Sequence, residues 1–161
     1  MVDVIFILIA LLVVIADQLS KAWVMSYAEG STIYSTGIFQ FIHNRNPGAV
    51  FGILQDYAFA LTVFTACVIV LILITVFFYW RKLSIFNSLF ARIGLSLYLG
   101  GSIGNLIDRL RFGSVTDFID FRFWPSFNVA DASMSVGVIM FAYSMLVSQS
   151  VKPRKPEEED H

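Results

Sequence analysis

The sequence predicts an all-α membrane protein with four transmembrane helices and a small extracytoplasmic β-sheet. Three observations carry that fold class. Of 161 residues, 57% are hydrophobic and 16% aromatic, and the mean hydropathy of +0.74 lies outside the usual range for a soluble globular domain. Charged residues make up only 14%, and four stretches approach the about 20 apolar residues that cross a hydrocarbon core roughly 30 Å thick. Between them lie two short segments in which β-branched and aromatic residues mix with polar ones, as in strands.

The first span runs from Val4 to about Tyr27, unbroken in its apolarity from Val4 to Ala16. Its leading residues are Met-Val-Asp, with no Lys or Arg and no prompt small-x-small site, so it reads as a retained span rather than a cleaved signal peptide. Residues 38–44, "IFQFIHN", read as a strand, and the Pro-Gly of "RNPGAVFG" after it marks a turn. The second span, Tyr57 to Trp80, carries no charge. The third, about Leu89 to Ile107, is shorter and rich in small residues, and residues 114–121 read as a second strand. On that strand Val115, Asp117, Ile119 and Phe121 share one face while Thr116, Phe118 and Asp120 share the other. The fourth span, about Ala130 to Val151, completes one membrane domain over residues 1–151. Residues 152–161, "KPRKPEEEDH", form a charged, solvated tail.

Four spans put both termini on one side. The 81–92 connection carries Arg81, Lys82 and Arg92 without an acid, and the tail adds Lys152, Arg154 and Lys155. The opposite side holds Lys21, Arg45, Arg109, Arg111 and Arg122, which stand beside acids and amides in functional-looking clusters. Tail and 81–92 loop are therefore placed in the cytoplasm. A net charge of −1 offers no basic surface for nucleic acid. The lone Cys67 has no disulfide partner, and with His43 and His161 the only histidines no metal or haem ligand set is expected.

Ionisable residues at membrane depth cost roughly 2.5–3.5 kcal/mol each at a helix centre, so each is a functional candidate. Asp17 and Lys21 stand four apart on one face of the first span and can pair, with a purely structural ion pair as the simpler alternative. In the third span Ser96, Gly100, Gly104 and Asp108 recur every four residues beside a row of Leu97, Gly101, Asn105 and Arg109. The small residues make a close-packing stripe, and the stripe ends in a polar cluster. Arg109 can hold Asp108 or grip the carbonyls and carboxylates of a bound peptide. Asp131 opens the fourth span, where helix capping is its simplest role. Yet Asp17, Asp108, Asp117, Asp120 and Asp131 crowd near one membrane face. Two carboxylates that cannot both ionise give a base and an acid at one pH, which is what amide hydrolysis without a covalent intermediate requires. No nucleophile elbow, HExxH or Cys/His pair offers another peptidase chemistry.

The blocks "DQLSK" (17–21), "NRNPGAVFG" (44–52), "GGSIGNLIDRL" (100–110), "GSVTDFIDF" (113–121) and "FNVADASM" (127–134) resemble, in order and spacing, the five motif blocks of the lipoprotein signal peptidase (signal peptidase II) family. The resemblance implies an aspartic endopeptidase of the bacterial inner membrane. Such an enzyme cuts diacylglyceryl-modified prolipoproteins just before the lipidated cysteine, needs no cofactor, and works at the extracytoplasmic surface; a monomer among membrane lipid is expected. It assigns the catalytic pair to Asp117 and Asp131 and leaves Asp120 a supporting role. Asp17, Lys21, Asn46, Gly48, Asn105, Asp108, Arg109, Asn128 and Ala130 fall on positions that line or brace the site. Pro47 and Val50 depart from the family's usual small residues. The implied fold adds a short amphipathic segment over the site, within residues 30–56, where Tyr34, Phe39, Phe41 and Phe51 suit the membrane interface. The alternative from another class is a small proton- or ion-coupled transporter, which an internal inverted repeat would favour; none is visible.

Overall fold

The computed structural model describes residues 4–48, 58–80 and 82–150. Four long helices carry it: α1 (Val4–Val24), α2 (Ala58–Tyr79), α3 (Leu89–Phe112) and α4 (Val129–Ser150). Three short strands, β1 (Thr32–Ser35), β2 (Gln40–Asn46) and β3 (Val115–Asp120), form an antiparallel sheet in the order β1-β2-β3. By length and composition α1, α2 and α4 can cross a membrane, with mean hydropathies of 2.2, 2.9 and 1.5 over their best windows. The charged tail expected at 152–161 lies outside the described residues. So do residues 49–57, where the remaining part of the expected amphipathic segment and Phe51 fall.

The helices are apolar outward. On α1 only a narrow stripe is buried, Phe6, Ala10, Val13, Asp17, Lys21 and Val24, at the three- and four-residue spacing of one helix face. Leu8, Leu11, Leu12, Ile15 and Leu19 on the other faces are exposed, which suits a lipid surround and not water. On α2 only Ile69 and Val76 are buried.

Helix α3 is the centre, packed against α1, α2 and α4. Its small residues decide how close its neighbours come. A Cβ added at Gly100 would lie 2.6 Å from the Ala10 carbonyl oxygen, and one at Gly104 would lie 2.5 Å from the Asp17 carboxylate, both on α1. On the adjoining row, a Cβ at Gly101 would strike the Ala130 carbonyl of α4, and Gly94 backs onto Gly137 in the same way. The two expected rows thus serve two different partners.

The polar end of α3 belongs to the helix itself. The third span was expected to stop near Ile107, but helical hydrogen bonding carries through Asp108 and Arg109 to Phe112. Gly113 then ends it in the left-handed conformation at φ 71°, its N–H donating to the Arg109 carbonyl at 2.9 Å. The first span, expected to run to about Tyr27, is helical only as far as Val24.

Strand β3 matches the expected segment closely. β2 is displaced two residues onward from the expected 38–44, so Arg45 and Asn46 pair with Thr116 and Val115 instead of sitting in the turn. β1, at the exposed edge, is an additional strand. Near the end of β3, Ile119 exchanges backbone hydrogen bonds with Phe127 at 2.9 and 3.0 Å, which folds the chain back toward the start of α4.

A bulky side chain cannot enter the α3/α4 seam without pushing two backbones apart. Gly101→Ile should therefore destabilise the protein by about 3 kcal/mol. Gly37→Ala, with nothing within 4 Å of the added carbon, should leave the thermal midpoint in detergent unchanged.

Candidate active site

Where the sheet meets the ends of α1 and α3 and the start of α4, a cation is enclosed. The Lys21 ammonium is fully buried and has three partners: Asp17 Oδ2 at 2.8 Å, Asn105 Oδ1 at 2.9 Å and Asp108 Oδ2 at 3.3 Å. Asp17 Oδ1 accepts the Ala130 N–H at 3.0 Å, an otherwise orphaned donor in the first turn of α4. Asp108 Oδ2 accepts the Thr116 N–H of β3 at 2.9 Å. The Gln18 amide donates to Asp108 at 3.1 Å and to the Gly104 carbonyl at 3.2 Å.

Two further carboxylates sit above this brace. Asn128 is the N-cap of α4: its Oδ1 accepts the Asp131 N–H at 2.9 Å, and Asp131 Oδ2 accepts the Asn128 N–H at 3.2 Å. The capping expected of Asp131 is therefore real, but it occupies one oxygen only. The other, Oδ1, accepts from Asn105 Nδ2 at 2.8 Å. Asn128 Nδ2 turns the opposite way and donates to Asp117 Oδ1 at 2.8 Å, while Asn46 Nδ2 donates to Asp117 Oδ2 at 2.9 Å. Burial pushes the Asp117 carboxyl up to about 7, and the negative charge of Asp131 adds to the rise. The Asn46 and Asn128 donors, and more weakly Lys21, pull it back.

The structure brings nearly all the expected site residues together. Asp17, Lys21, Asn105, Asp108, Asn128 and Ala130 form the brace and its links, and Asn46 and Gly48 approach from the sheet side. Gly48 has a φ of 110°, and its N–H donates to Asn46 Oδ1 at 2.9 Å. Asp120, three residues past Asp117 and on the other face of β3, accepts instead from Gln40 and from the Arg122 N–H at 2.6 Å. Of the two readings of Arg109, an ion pair with Asp108 is not made: Asp108 pairs with Lys21. The Arg109 guanidinium is partly buried, within electrostatic reach of Asp131, Asp117 and Asp108. Gln18 and Thr116 were not singled out; Gln18 lies in plain view inside "DQLSK", whereas the contribution of Thr116 is a backbone N–H that no side chain announces. Among the described residues no group of three or more His, Cys, Asp or Glu is placed to hold a metal ion.

Two solved structures, both described as bacterial membrane enzymes determined by the in meso method, are similar to this fold. One, at 2.3 Å resolution, has a TM-score of 0.81 and 30% identity, covering 95% of this chain and 94% of that one. The other, at 1.9 Å, has a TM-score of 0.74 and 31% identity, covering 88% and 92%. Helices, sheet and buried polar cluster together thus define a membrane enzyme. Residues 9–147 match the family model for signal peptidase (SPase) II, and the chain belongs to that family. Among its relatives, the lipoprotein signal peptidase of Moorella thermoacetica is 41% identical over 153 residues, covering 94% of this chain and 99% of that protein. That of Dehalococcoides mccartyi is 40% identical, covering 86% of each.

Removing the ammonium leaves two buried carboxylates unpaired. Lys21→Met should therefore cost about 3–5 kcal/mol of stability, read as a lowered unfolding midpoint in detergent. A midpoint within error of the parent chain would show that the brace is not holding these elements together.

Proposed function

We propose that the chain is an aspartic endopeptidase that removes the signal peptide from diacylglyceryl-modified bacterial prolipoproteins, cutting before the lipidated cysteine. One observation carries this reading: in a signal peptidase II chain, Asn128 holds Asp117 with its side chain and Asp131 with its backbone N–H. Asp117 and Asp131 act as the catalytic pair, sharing one proton near neutral pH. The ionised member takes a proton from water as the water oxygen bonds to the scissile carbonyl carbon. The protonated member gives its proton to the carbonyl oxygen, forming a neutral tetrahedral diol. In collapse the newly protonated carboxyl gives its proton to the leaving nitrogen, the other takes one from a diol hydroxyl, and the C–N bond breaks. The lipidated cysteine keeps the new amine and the signal peptide keeps the new carboxyl.

The remaining residues serve this pair. Asn46, Asn105 and Asn128 orient the carboxylates; Asp17, Lys21, Asp108 and Ala130 fix the elements that carry them; the Gly48 N–H holds the Asn46 amide in place. Arg109 grips a carbonyl of the bound peptide with its fork of N–H groups. In this reading α3, at 24 residues about 36 Å long, is the fourth span, its lower apolarity tolerated because neighbours cover it. Both termini are cytoplasmic, and the pair lies near the extracytoplasmic surface of the inner membrane. There the substrate's diacylglyceryl group stays in lipid while its peptide meets water. The protein works as a monomer. A transporter would need charged groups strung across the membrane, whereas here every Asp, Lys and Arg on α1, α3 and α4 except Arg92 gathers at one end, and α2 has no Asp, Glu, Lys or Arg.

Asp117→Asn and Asp131→Asn should each abolish cleavage of a diacylglyceryl prolipoprotein in detergent, while Asp120→Asn keeps activity; turnover by Asp117→Asn would refute the pair. As pH rises through about 7, Asp117 loses its proton, both carboxylates are anionic and no acid remains, so kcat should fall. Asn46→Ala removes a donor that favours the anion, so it should move that falling limb to higher pH. Movement to lower pH would contradict the assignment.

A further inference from the structure

The end of the bundle farthest from the carboxylates carries a groove of its own. Helices α1 and α2 both pack on α3, and between them they share a buried cluster of Phe6, Ala10, Ile69 and Val76. Beside that cluster a cavity of about 410 Å³ remains, lined by Phe6 and Ile7 of α1 and by Leu73, Val76 and Phe77 of α2, apolar throughout. Its volume falls within the about 300–1,000 Å³ of ordinary ligand sites. Ile7 and Phe77 remain 55% and 75% exposed, so the cavity is a groove open to its surroundings rather than a sealed void. Phe6 stands eleven residues before Asp17, about 17 Å away along α1.

The mouth of this groove is fixed and basic. Helix α2 ends at Tyr79, whose carbonyl accepts the Lys82 N–H at 2.9 Å and the Leu83 N–H at 3.1 Å. The Trp80 ring lies edge-on to Phe6 at 5.3 Å and stacks on Phe86 at 4.8 Å, which ties the turn to the groove wall. Lys82 is exposed, its ammonium 5.5 Å over the Tyr79 ring, and among the described residues it pairs with no carboxylate. The sequence sets Arg81 beside it and no Asp or Glu anywhere from Tyr79 to Arg92. A cation after a helix C-terminus complements the macrodipole, but that role has no use for an open apolar groove one turn away.

We propose that an anionic phospholipid binds here, one acyl chain lying in the groove between α1 and α2 and its phosphate on Lys82, with Arg81 adding to the attraction. The occupant has to meet two requirements at once. An apolar channel that opens to the bilayer and ends at a cation takes an amphiphile with an anionic head. A zwitterionic lipid brings an ammonium of its own to a mouth that is already basic. The acidic run at 157–160 can answer the charge but cannot fill an apolar groove. A second copy docked by the same face, in the same membrane orientation, would set two basic ends against each other. Such a site requires only that the chain spans a bilayer, so it stands apart from the chemistry of Asp117 and Asp131.

The test is native mass spectrometry of the full chain ejected from nanodiscs made of equal parts phosphatidylglycerol and phosphatidylcholine. The parent chain should retain one phosphatidylglycerol in preference to phosphatidylcholine. Lys82→Gln should lower that preference about fivefold, and Arg81→Gln combined with Lys82→Gln about 25-fold. Arg111→Gln, at the other end of the bundle, should leave it unchanged. Leu73→Trp fills the groove and should lose the bound lipid, whereas Phe59→Trp, on the exposed start of α2, should keep it. Equal retention of the two lipids by the parent chain, or a preference unmoved in the folded double variant, overturns the site. So does lipid retained by folded Leu73→Trp, or a lipid-free dimer of the parent chain, which would give the groove to a second copy.

Discussion

A lysine ammonium with no exposure to solvent is the constraint on which the rest of this molecule depends. Taking Lys21 out of water costs several kcal/mol unless its donors are met, and here three acceptors meet them: Asp17, Asn105 and Asp108. Each acceptor carboxylate then has capacity left over, and it is used on backbone of another element. Asp17 takes an N–H of α4 and Asp108 takes an N–H of β3. One cation on α1 thereby sets the height and angle at which α3, α4 and the sheet meet. The glycines of α3 make the same demand from the packing side, since the Asp17 carboxylate reaches Lys21 only because Gly104 has no side chain in its way.

Three asparagines convert this frame into oriented carboxylates. An amide can accept on one side and donate on the other, and in each case the accepting side is already claimed: Asn128 by the α4 N–H of Asp131, Asn105 by Lys21, Asn46 by the Gly48 N–H. The donating side is then forced toward a carboxylate of the proposed pair. An aspartate at any of these positions would supply no N–H and would add charge to a cluster already rich in it. The pattern explains why so polar a cluster is stable among apolar helices: its side chains are oriented by donors and acceptors outside the pair itself.

Much of this was legible in the sequence because the informative residues are rare in their setting. Charges and amides in a chain of apolar helices stand out, and the spacing of Asp17 with Lys21 and of Gly100 with Gly104 put the right groups on the right faces. What escaped did so for local reasons. β1 is four residues at an exposed edge, with only Ile33 partly buried, so it shows no buried alternation to read. The end of β2 was taken for a turn because Arg45 and Asn46 are polar and precede Pro47. They are strand residues because β3 pairs with them, a tertiary preference that overrides composition. The last turn of α3 looked like membrane surface, although Gly113 after Arg109 and Arg111 is the ordinary mark of a helix end. That Arg109 would pass over its neighbour Asp108 could not be known without the position of Lys21.

Helix α2 stands apart from all of this. It contributes no group to the buried network, buries two residues, and packs with apolar side chains on α3 and on Phe6 and Ala10 of α1. Dispersion contacts between such surfaces are numerous but have no preferred partner, so sliding one past another by a fraction of a turn exchanges like for like. α1, α3 and α4 have no such freedom, because any shift among them would unpair a charge. The bundle is therefore mechanically unequal: three staves locked by polar contacts and one that can rock. During assembly in the bilayer the locked three must find a single register, while α2, the most apolar helix, inserts on its own hydropathy and docks without having to search for one.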